Sequence, residues 1–132
     1  MTSNPPEVVL KAIRDDGRYP PSVYEFLHAG LEYTTRKLFG AKKSSDPRHV
    51  TGQQLCEGLC DLALERWGFM AGTVLRYWNV RTTRDFGEMV YFLIDLGLMG
   101  RQPSDRIEDF DDVFDLDETF SGYAVPSVLT EG

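Results

Sequence analysis

Two cysteines and two histidines are the whole stock of soft metal-binding side chains in this 132-residue sequence. Two cysteines are too few for a disulfide scaffold. Structural zinc ordinarily takes four ligands, and Cys56 and Cys60, one helical turn apart, supply only two. The remaining candidates, His28 and His49, lie on different segments. Both cysteines fall on an apolar stripe with Leu59 and Trp67, so they read as core residues.

Other chemistries are missing as well. Glycines mark helix ends and do not cluster ahead of a helix start, so no phosphate-cradling loop is present. No nucleophile-elbow pattern places a serine or cysteine beside a base. Asp85-Phe86-Gly87 matches the kinase tripeptide in letters only, inside an expected helix and without the companion signatures. A calcium loop starting at Asp109 would need an oxygen ligand at Val113, glycine at Phe114 and glutamate at Phe120. The expectation is a protein that is not an enzyme and needs no metal or cofactor. No apolar run approaches a membrane span and no basic-then-apolar leader precedes the first helix, which predicts a soluble, cytoplasmic chain.

What the sequence does have is polarised charge. The net charge is −7, and the stretch from Asp105 to Glu118 carries that whole excess with eight acids against Arg106. In the other direction, Arg36, Lys37, Lys42, Lys43 and Arg48 face only Asp46, and His49 follows. An acidic balance disfavours broad nucleic-acid affinity without excluding a local basic contact.

Hydrophobic periodicity predicts a mainly α-helical, compact single domain over residues 1–120, with an extended or frayed tail at 121–132. A short helix opens at Pro5-Pro6 and closes near Asp16-Gly17, and a second runs from about Pro21 to Phe39. Thr51 and Gln54 form a capping box for a helix to Trp67; a cationic neighbour would relieve its Glu57, Asp61 and Glu65 face, and the Arg36–Arg48 region is one candidate. A short central helix is expected at Phe69–Trp78 and another from Thr83 to Leu96, capped by Thr82 and Asp85. Ile107, Phe110 and Phe114 fit either an acidic amphipathic helix or alternating short strands. Three short helices followed by a glycine-leucine exit allow a winged-helix-like core with a small β-hairpin after residue 97. The outward face of its recognition helix would be Arg84, Glu88, Tyr91 and Asp95, a poor match for a phosphate-lined groove.

Arg18-Tyr19-Pro20, the PRHVTGQQL run at 47–55, the RTTRDFGEMV run at 81–90 and the EDFDDVFDLDE run at 108–118 resemble an uncharacterised family of small acidic bacterial proteins. The resemblance implies a bacterial, stand-alone cytosolic domain and brings no activity or residue role.

Two expectations follow. The first is a non-enzymatic protein–protein interaction module using Asp109, Phe110, Asp111, Asp112, Phe114 and Asp115 against a partner with a basic surface, or against the chain's own basic loop. The second is nucleic-acid contact through Arg36, Lys37, Lys42, Lys43, Arg48 and His49.

Overall fold

A computed structural model describes residues 7–40 and 49–121, leaving out the side chain of Ser121. Lys42, Lys43, Arg48, the Pro5-Pro6 helix start and the tail beyond Ser121 lie outside the described residues. Six α-helices follow in chain order: α1 (Glu7–Asp16), α2 (Pro21–Phe39), α3 (Gly52–Trp67), α4 (Ala71–Tyr77), α5 (Thr83–Asp95) and α6 (Leu116–Ser121). Single 3-10 turns at Gly68–Met70 and Ile107–Phe110 precede α4 and α6.

Local chemistry sets these boundaries. Pro21 starts α2 with its φ already helical. Thr51 Oγ1 accepts from Gln54 N at 3.1 Å and Gln54 Oε1 accepts from Thr51 N at 3.0 Å, closing the capping box of α3. At α5 the cap is one carboxylate: Asp85 accepts from Thr82 N at 3.0 Å and Arg81 N at 2.7 Å, and also from the Tyr19 hydroxyl. Asn79 turns the chain before α5 at φ 68°, and its amide donates to Arg18 O at 3.1 Å. The Arg18-Tyr19-Pro20 turn is thereby tied to the start of α5.

One core runs from Ile13 to Phe120. α3 packs along α2, where Leu59 covers Gly30 and Thr34 covers Gly58. Phe26 lies at its centre, with Trp67 and Trp78 at ring distances of 5.1 and 5.9 Å. Lys37 Nζ reaches Asp61 at 2.6 Å, so a cation from the end of α2 does relieve the acidic face of α3.

Past α5 the fold departs from expectation. No strand occurs among the described residues, so the β-hairpin after residue 97 and the wing it would form are absent there. Residues 105–121 form neither one helix nor a hairpin; they are a strap of two short helical pieces. Asp105 accepts from Gln102 N at 2.8 Å, Asp109 from Arg106 N at 3.1 Å and Asp115 from Glu118 N at 2.9 Å. Short acidic side chains that take backbone donors this way favour caps and turns over a continuous ladder. Between the pieces Asp111 is extended and Asp112 is left-handed at φ 51°. The strap's apolar residues close the core: Phe110, Leu116 and Phe120 are all buried.

Candidate functional site

The acidic turn after Phe110 is held from below by one hydroxyl. Thr83, fully buried at the start of α5, donates to Phe110 O at 2.6 Å and accepts from Val113 N at 3.1 Å. Beside it, Arg84 Nη1 lies 2.9 and 3.0 Å from the two oxygens of Asp111, and Arg84 Nε reaches Glu88 at 3.3 Å. At the far end Arg76 pairs with Asp117 at 3.4 Å across α4 and α6.

A shallow groove of about 350 Å3 results. Phe114 and Leu116 form its apolar surface, Asp112, Asp115 and Asp117 bring three carboxylates, and Arg81 is its one cation. Phe114 is half-buried and meets Phe120 edge-on at 6.3 Å, which fixes the ring plane. Carboxylates beside a held aromatic ring suit an incoming guanidinium or ammonium group.

The six acidic-segment residues singled out in the sequence therefore divide. Asp112, Phe114 and Asp115 come together in the groove. Phe110 belongs to the core and offers a partner nothing. Asp109 caps the strap and Asp111 is engaged by Arg84; Asp115 likewise gives one oxygen to Glu118 N, and Asp117 is more loosely paired with Arg76 at 3.4 Å. Asp117 and Leu116 complete the groove.

The basic residues divide too. Arg36 and Lys37 line a broad α2–α3 groove of about 540 Å3 with Tyr33, and there they meet Arg66 from the end of α3. Arg66 stood far from them in sequence and was legible only through its position in the last turn of α3. His49 faces elsewhere and bonds Asp105 at 2.9 Å. The would-be recognition face of α5 is largely spoken for: Arg84 pairs with Asp111, and Glu88 lies 3.0 Å from Arg18.

Neither thiol suits nucleophilic chemistry. Cys56 is fully buried and desolvation pushes it up to about 12, while burial also raises the half-buried Cys60. Glu25 and His28 stand at Glu-x-x-His spacing on α2, a pairing used in carboxylate metal sites, but both are exposed, and His28 Nε2 lies 3.4 Å from Glu32. No cluster of three or more His, Cys, Asp or Glu side chains fit to hold a metal occurs among the described residues. No described helix is long and apolar enough to cross a membrane. No protein-family model, curated protein or solved structure matches the chain.

Proposed function

We propose that this chain is a non-enzymatic, cytoplasmic protein–protein interaction module that docks on a basic protein surface through the acidic turn. The observation that carries the reading is the groove in which Phe114 stands among Asp112, Asp115 and Asp117. A partner arginine or lysine lies over the ring and between the carboxylates, where the aromatic face and the charge-assisted hydrogen bonds act together. Thr83 and Arg84 hold the turn before the partner arrives, so little ordering remains to be done on binding.

The test is titration of a labelled arginine-rich peptide by fluorescence anisotropy at low and high salt. The expected result is saturable binding that weakens with salt. It drops further in Asp112→Asn/Asp117→Asn and in Phe114→Ala. Equal binding by these variants, or binding indifferent to salt, overturns the reading.

A second reading keeps the basic side of the molecule. Arg36 and Arg66 gather beside Tyr33, with Lys37 already shared with Asp61 and with Glu32 on the same wall; cations around one aromatic ring suit a single-stranded nucleic acid. Removing the acidic strap is not a usable test, because Phe110, Leu116 and Phe120 belong to the core. Arg36→Gln/Arg66→Gln leaves the fold alone, and unchanged affinity for a short RNA in that variant counts against it.

A further inference from the structure

The acidic groove does not end at Asp117. A second hollow, of about 290 Å3, adjoins it and shares Arg81, Leu116 and Asp117 with it. Gly72, Leu75, Val80 and Arg76 complete the lining of that hollow. The Arg76 guanidinium lies over Gly72, where an added methyl would stand 3.6 Å from Nη2. The two hollows make one trough whose sign changes along its length. Asp112 and Asp115 belong to one end, Arg76 belongs to the other, and Arg81 and Asp117 border both.

The cations of this trough are poorly satisfied. Arg81 is exposed and pairs with no carboxylate among the described residues, while its backbone N is fixed by Asp85 at 2.7 Å. Arg76 has only Asp117, at 3.4 Å, and those side chains are 52% and 86% exposed. A base that lies over Phe114 and takes Asp117 leaves Arg76 without its carboxylate, next to the unpaired Arg81. A purely basic ligand therefore brings a further positive charge to two unneutralised guanidiniums. A ligand that carries its own carboxylate replaces Asp117 there, and guanidinium groups match carboxylates in shape as well as in charge.

We propose that the partner docks through a short segment of both signs, one basic residue followed or preceded within a few residues by one carboxylate. The base lies on Phe114 beside Asp112 and Asp115, and the carboxylate meets Arg76 and Arg81. This proposal rests on the acidic groove being an interaction site and adds the second charge its partner must carry.

The full chain, isotope-labelled, is titrated at low salt with short Gly/Ser peptides, and the amide shifts of Arg81, Asp112, Phe114 and Asp117 are followed. Each peptide carries one arginine and one glutamate, set one, two or three positions before or after it. Each has a counterpart with glutamine in place of the glutamate. Both kinds are expected to give saturable shifts, and at the best spacing the glutamate tightens binding about twofold to fivefold, the range of an exposed ion pair. In Arg76→Gln/Arg81→Gln, folded by circular dichroism, the two kinds are expected to bind alike. Binding without preference at any spacing overturns the proposal and leaves the acidic groove as the site of a basic residue. Absence of saturable shifts with every peptide overturns that reading, and this proposal with it. A glutamate preference that persists in the folded double variant places the carboxylate away from the two arginines and overturns the assignment.

Discussion

The ring of Phe110 lies on the bare backbone of Gly87: a methyl group added there would sit 2.8 Å from Phe110 Cγ. Gly52, at the start of α3, makes the same allowance, with its added methyl 2.9 Å from Phe110 Cε1. Two helices have thus given up a side chain to seat one ring from the strap. The acidic segment is fastened here, and its charges are carried outward from this point.

Gly87→Ala forces that ring aside in a closed core. Overpacking of this kind costs about 1–3 kcal/mol, less up to about 1 kcal/mol from the better helix propensity of alanine. Urea unfolding followed by circular dichroism measures the difference. Gly100→Ala, where an added methyl meets nothing within 4 Å, is the matched control and is expected to be near neutral.

Thr83→Val keeps the shape of the side chain and removes its hydroxyl. Phe110 O and Val113 N then lose their shared partner, at a cost of about 1–3 kcal/mol. Hydrogen exchange localises the effect: the Val113 amide is expected to lose protection while the amides of α2 keep theirs.

Arg84 and Asp111 form the closest charge contact between α5 and the strap, yet both are about two-fifths exposed, at 41% and 38%. Exposed pairs contribute little, so a double-mutant cycle with Arg84→Ala and Asp111→Ala is expected to give little or no measurable coupling. A larger coupling would move the anchoring of the turn from Thr83 to this pair.

Alkaline pH is expected to destabilise the fold. Burial pushes the Cys56 thiol up from its usual 9.0 to about 12, and the Tyr24 phenol from 10.0 to about 12. Each group keeps its proton in the folded chain while the unfolded chain has already lost it. Stability is therefore full below the unfolded values and falls as pH rises through this window. The slope for Cys56 is at most about 1.4 kcal/mol per pH unit above its unfolded value. Urea midpoints between pH 8 and 11 measure the slope, and Cys56→Ala is expected to flatten its lower part.

Much of this fold is legible in local sequence chemistry. Thr51 and Gln54 announce the start of α3, and the acidic face of that helix asks for the cation that Lys37 brings to Asp61. The strap is where local reading fails. Ile107, Phe110 and Phe114 have helical spacing, but Asp109 and Asp115 turn their carboxylates onto backbone donors and cut the segment into two pieces. The seat for Phe110 was hidden for another reason. Gly52 and Gly87 show no periodicity with it, and a glycine in a helix carries no sign of what lies on it. Asp112, Phe114 and Asp115, singled out by their sequence pattern, line the acidic groove. A cavity between α2, α3, α5 and the strap was not legible in that way, because its lining comes from four separate segments.

Phe110, Leu116 and Phe120 have a consequence for how the protein is made. During synthesis, α2, α3 and α5 leave the ribosome before the residues that cover them. Until Phe110 has emerged, the seat between Gly52 and Gly87 stands open, and the growing chain carries an unfilled apolar slot. Closure waits for α6, the last described helix, so a pause in translation just before the strap would leave a half-built protein exposed to chaperones.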